Sequence, residues 1–68
     1  MSIFIISGDF SFNANDVKKM EITKAGVNQY QLIVYLISSR TPSEDIYIHF
    51  DNKEAAIKEL QRITNFLN

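Results

Sequence analysis

The side chains of this 68-residue chain that could carry chemistry are few, and their spacing works against them. His49 is the single histidine, and so the one side chain whose ordinary pKa, about 6.5, lies near neutrality. General acid–base work would require a nucleophile or a poised carboxylate beside it. Its same-parity neighbours are Tyr47 and Asp51, a phenol and an aspartate better explained as a helix start. Glu44 and Asp45 are adjacent, so on a strand they point to opposite faces and cannot clamp a proton or a cation together. Asp9 and Asp16 fall in turn sequences, where an aspartate bonds to nearby amides. No serine sits in a nucleophile-elbow context, and the two glycines, Gly8 and Gly26, are too few and too far apart for a phosphate loop. With no cysteine, a disulfide framework and a Cys/His zinc site are both excluded. The chain is therefore read as non-enzymatic, with no catalytic residue, no metal site and no cofactor expected.

Three tyrosines remain. Tyr30, Tyr35 and Tyr47 could stack on bases, as sheet-based single-strand binders do, with Lys18, Lys19, Lys24 and Arg40 nearby in sequence. Tyr30 and Tyr35 have opposite parity, however, and cannot share a strand face without a bulge. A net charge of −1 also lacks the electrostatic footprint of a phosphate-backbone binder. Single-stranded nucleic-acid binding through sheet tyrosines is thus the secondary expectation, and a protein contact the primary one.

The elements that must position these residues follow from periodicity. Ile3–Ser7 is rich in β-branched and aromatic types, Gly8-Asp9 is a turn, and Phe10-Ser11-Phe12 alternates on the return. After a second turn at 13–16, residues 17–24 alternate Lys18/Met20/Ile22 against Lys19/Glu21/Thr23 and read as a strand leading into a turn at 25–28. The strongest strand is 29–38, with Tyr30, Leu32, Val34 and Leu36 on one face and Ile33, Tyr35 and Ile37 on the other. Pro42 breaks it, and 45–50 alternates again, with Ile46, Ile48 and Phe50 opposed to Tyr47 and His49. Asp51, with Glu54 three residues on, predicts a capping box opening a helix over about 52–67. Ala56, Leu60, Ile63 and Leu67 then form its apolar stripe, widened by Ile57.

These elements predict an α+β fold in one domain spanning 1–68, an antiparallel β-meander of four to five strands with one C-terminal amphipathic helix on one face. At this length the chain is marginal in stability and needs a dense core, self-association or both. The hydrophobic fraction of 46% is that of a globular protein. No apolar run approaches the ~18 residues of a membrane span, and the opening Met1–Ile6 lacks the basic flank of a signal peptide. No membrane association and a cytoplasmic location are expected. Plentiful isoleucine and asparagine with scarce alanine point to AT-rich coding, as in a low-GC bacterium or its phage.

One helix covers one face of a sheet. The face bearing Tyr30, Leu32, Val34 and Leu36, with Ile46, Ile48 and Phe50, is the better match for the helix, since it leaves His49 outside. The other face then carries Ile33, Tyr35, Ile37 and Tyr47. Exposed apolar patches of that kind mark interaction surfaces. Either residues 3–12 fold over this face, or it meets a second copy as a homodimer, or it docks another protein. The expectation is a small accessory or inhibitor protein, an interaction module with Ile33, Tyr35, Ile37 and Tyr47 as its partner-binding residues.

Overall fold

A computed structural model describes residues 3–67, so the reading of Met1 and Ser2 lies outside the described residues. Five strands and one helix follow in the order β1 (Phe4–Ser7), β2 (Phe10–Asn13), β3 (Val17–Gly26), β4 (Gln29–Leu36), β5 (Ile46–Phe50) and α1 (Lys53–Leu67). All pairings are antiparallel, which bears out the α+β meander-plus-helix architecture. The strands divide into two sheets, the hairpin β1–β2 and the three-stranded β3–β4–β5.

Turn chemistry explains the hairpins. Gly8, at φ 60°, takes the first central position of the two-residue loop between Ser7 and Phe10, where a primed turn matches strand twist. Asn28, at φ 56°, fills the left-handed position between β3 and β4 that asparagine tolerates better than most residues. A short 3-10 turn at Ala14–Asp16, capped by the Asn13 side chain accepting from the Asn15 amide, ends β2 and separates the two sheets.

Strand β3 carries two irregularities, between Val17 and Lys19 and between Lys24 and Gly26. The first has a direct packing consequence. The extra residue Lys18 shifts the alternation, so Val17, opposite Leu36, joins Met20 and Ile22 against the core while Lys19 opposes Tyr35 on the other face.

The core holds Ile5, Phe12, Leu32, Val34, Ile48 and Ile63, with Leu36, Ile46, Phe50 and Leu60 half-buried against it. The expected register is therefore correct. Leu32 and Val34 of the central strand meet Ile48 of β5 and the helix stripe, in which Ala56 and Ile63 are fully buried. Leu67, at the end of the stripe, is exposed. At ~1.5–3 kcal/mol for each large apolar side chain withdrawn from water, this cluster is the main stabilising term in the fold.

The hairpin packs on that same side of the sheet. Ile5 and Phe12 enter the helix-side cluster, so residues 3–12 do not fold over the second face as one expectation had it. The reason is that β1 and α1 have polar groups to share. Ser7, buried, donates its hydroxyl to Glu59, and Arg62 donates to the Ile6 carbonyl at 2.7 Å.

The helix cap differs from expectation by one residue. Asn52, not Asp51, caps α1, its Oδ1 accepting from the Ala55 amide at 2.8 Å. Phe50 is held in the β5 ladder opposite Tyr30, so Asp51 is used in the bend that redirects the chain. Glu54 is then not at the position from which a capping-box side chain reaches back.

Candidate functional site

With helix and hairpin both on one side, no described element packs over the other face of β3–β4–β5. Antiparallel registers define what that face displays. Ile33 sits at its centre, between Glu21 of β3 and Tyr47 of β5. One step along, Tyr35 opposes Lys19; one step back, Gln31 lies between Thr23 and His49. Three of the four expected partner-binding residues, Ile33, Tyr35 and Tyr47, therefore share one surface.

Their exposure differs in an informative way. Ile33, expected to lie open, is only 8% exposed. It is an aliphatic side chain on a central strand, rimmed by the longer, polar-tipped Glu21, Tyr47, Gln31 and Tyr35. Long amphipathic side chains cover apolar surface with their bodies while their polar ends stay wet. Tyr35 and Tyr47 are half-buried, and both hydroxyls are engaged. Tyr35 donates to Glu21 at 3.3 Å, and Lys19 places its ammonium 4.8 Å from the Tyr35 ring centroid. Desolvation and then the Glu21 carboxylate raise the Tyr35 phenol above its ordinary pKa. Tyr47 donates to the Pro42 carbonyl at 2.6 Å and so ties the β4–β5 loop to this end of the face.

Ile37, the fourth residue, lies just beyond β4 and is 64% exposed. It is nonetheless fixed. Its amide donates to the Asp16 carbonyl at 2.7 Å, and the Asp16 carboxylate takes the Ser38 amide at 2.9 Å and the Ser38 hydroxyl at 2.5 Å. Asp45 performs the same task from the other end of the loop, accepting from the Leu36 amide and the Ser39 hydroxyl. These bonds hold its carboxyl below the usual aspartate pKa. Asp16 was legible as a turn residue, whereas Asp45 was expected to open the strand that in fact starts at Ile46, and the pairing of the two with Ser38 and Ser39 was not legible.

His49 is exposed on this face, with Gln31 as its cross-strand neighbour. Among the described residues no three of His, Cys, Asp and Glu are grouped so as to hold a metal ion. A shallow recess of about 610 Å³ lies at the opposite end of the sheet, lined by Asn28, Tyr30 and residues 51–54. Its walls mix acid and base, and the Asn52 side chain there is spent on the helix cap. Tyr30 belongs to the helix side, opposite Phe50, which leaves two tyrosines and not three on the open face.

No described helix is long and apolar enough to cross a membrane. Comparison with family models, with curated proteins and with solved structures gave no match for this chain.

Proposed function

We propose that this protein is a small non-enzymatic interaction module that docks another protein on the open face of β3–β4–β5. The observation that carries the reading is the one-sided covering of the sheet, with α1 and the β1–β2 hairpin entering the same core. Tyr35 and Tyr47 then form an aromatic rim on a hydrogen-bonded platform, with Ile37 exposed just beyond the end of β4. Aromatic side chains of that kind are enriched at protein interfaces, because they bury much area at little entropic cost. Lys19 and Glu21 of opposite sign flank them, which favours a partner surface with mixed polar groups. The Glu21 carboxylate bonded to Tyr35 works against a phosphate backbone, so a nucleic-acid strand is the lesser fit.

The test is a photo-reactive residue placed in living host cells at Ile37, at Tyr47 and, as a control, at the exposed tip residue Val27. A discrete protein adduct from the first two sites and not the third is expected, lost when Tyr35→Lys is added while the thermal midpoint holds. Adducts indifferent to site or to Tyr35 overturn the docking face. Salt-dependent retention on single-stranded DNA that vanishes with Tyr35→Lys replaces the protein partner with a nucleic acid.

A further inference from the structure

A second surface, independent of the open sheet face, lies on the hairpin. The backbone pattern of β1 can be read from one bond, the Ala14 amide to the Ile3 carbonyl at 2.7 Å. In an antiparallel pair the inward-bonding residues alternate. Ile3, Ile5 and Ser7 therefore direct their amides and carbonyls toward β2, and Phe4 and Ile6 direct theirs to the far edge. The Ile6 carbonyl confirms this direction, since Arg62 reaches it from α1. The Phe4 amide and carbonyl and the Ile6 amide have no partner among the described residues.

Apart from Arg62 of α1 at the Ile6 carbonyl, that edge carries none of the usual protection. Natural edge strands are blunted by charges, prolines or bulges. The outer edge strand β3 has two irregularities and three lysines, whereas Phe4-Ile5-Ile6 has no charge, no proline and no bulge. The side chains beside the open backbone groups are also apolar and outward-facing, Phe4 at 65% and Ile6 at 69% exposure. Ile3 and Phe66 are about half exposed, and Phe66 adjoins the edge through Arg62, whose guanidinium lies 5.7 Å from its ring centroid. Arg62 adds little repulsion, because Glu59 pairs with it at 2.6 Å.

We propose that the chain forms a two-fold homodimer by antiparallel pairing of β1 with β1 of a second copy, centred on Ile5. The pattern is self-complementary. With Ile5 on the axis, Phe4 of each copy opposes Ile6 of the other, and these are the two residues whose backbone groups face outward. Four hydrogen bonds close the junction, the Ile6 carbonyl keeping Arg62 on one lone pair and accepting on the other. The hairpins become one four-stranded sheet, with Phe4 and Ile6 as aromatic–β-branched cross-strand pairs on its outer face. The area points to a weak association. Ile3, Phe4, Ile6 and Phe66 expose about 460 Å² per copy at ~200 Å² for a large side chain. Two copies offer at most about 900 Å², below the ~1,200–2,000 Å² of stable interfaces, so dimers are expected only toward the high end of concentration.

The test is sedimentation equilibrium of the full chain from micromolar to about millimolar concentration. A rise in mass from 7.8 kDa toward twice that value is expected. Phe4→Lys and Ile6→Lys, both at exposed side chains, should weaken association ~100-fold with the far-UV spectrum unchanged. Phe4→Pro, which removes one outward amide and nothing used within the monomer, should weaken it as well. Amide exchange gives the independent readout, with Phe4 and Ile6 protected only at high concentration. A strict monomer at ~1 mM overturns the proposal. So does a dimer that ignores these substitutions and dissociates with Tyr35→Lys, which places self-association on the other face.

Discussion

Strand β4 presents two surfaces built from alternate residues of one segment, and the molecule treats them in opposite ways. On the helix side Leu32 and Val34 are fully buried beneath α1 and the hairpin, in contact with residues far away in sequence. On the other side Ile33 is nearly as hidden, yet its cover comes from its own sheet, the side chains of Glu21, Tyr47 and Tyr35. The difference teaches what burial means in each case. The first surface is dry and held by tertiary packing, so its loss is the loss of the fold. The second is a thin cover of amphipathic side chains that a partner could displace or build upon.

Charge is the harshest way to break this comparison. Leu32→Lys should abolish the cooperative unfolding transition, because an unpaired ammonium in the helix-side core costs more than the ~3–5 kcal/mol of a domain this size. Tyr35→Lys, one face over, should leave the unfolding free energy within about 0.5 kcal/mol of the native chain's. Equal losses in chemical denaturation would mean that the open face is a second core.

Truncation sharpens the same contrast at smaller scale. Ile63→Ala should cost ~2–5 kcal/mol, since its site is enclosed on all sides and leaves a cavity. Ile33→Ala should cost about 1–2 kcal/mol, because the rim side chains can relax over the gap. Urea midpoints of the two variants, compared at constant slope, decide the order.

The helix cap separates two neighbouring residues in the same way. Asn52→Ala should cost ~1 kcal/mol through the lost bond to the Ala55 amide, whereas Asp51→Ala should be near neutral. A larger effect at Asp51 would move the cap back by one residue.

The smallest effect is that of acid on the polar ties. Arg62 and then Ser7 hold the Glu59 carboxyl below its ordinary pKa against a desolvation that pushes it up, and Ser39 with the Leu36 amide holds Asp45 down. Groups with a depressed folded pKa contribute stability that is fully present above the unfolded value, about 3.9–4.3, and lost as pH falls through the folded one. Thermal midpoints should be flat from pH 7 to ~5 and fall below ~4, with a shallower fall in Glu59→Gln and Asp45→Asn.

How much of this was legible in the sequence depended on whether the signal was local. The alternation of 29–38 and 45–50 and the 3.6-residue stripe of Ala56, Leu60, Ile63 and Leu67 identified strands, helix and core face, because periodicity is set by backbone geometry alone, although the strands end at Leu36 and begin at Ile46 and Leu67 is exposed. The cap was misplaced because Asp51 and Asn52 are both good cap residues and only the ladder position of Phe50 decides between them. The side on which the hairpin packs rests on contacts between residues 52 and 56 positions apart, Ser7 with Glu59 and Ile6 with Arg62, which no local pattern encodes. Arg62 itself reads as a solvent-facing helix residue until β1 is placed beside it. The candidate face was legible as a parity class, but its self-cover over Ile33 emerges only from the cross-strand registers.

That same hairpin-to-helix clasp has a kinetic meaning. The pairings of β3, β4 and β5 join neighbours along the chain, and closing short loops costs little entropy. The Ser7–Glu59 and Ile6–Arg62 bonds must close loops of more than fifty residues and are expected to form after the barrier has been crossed. Arg62→Ala should then hasten unfolding in stopped-flow denaturant jumps and leave the refolding limb almost unmoved. The clasp would act as a latch on the finished molecule, setting how long it stays folded and not how fast it gets there.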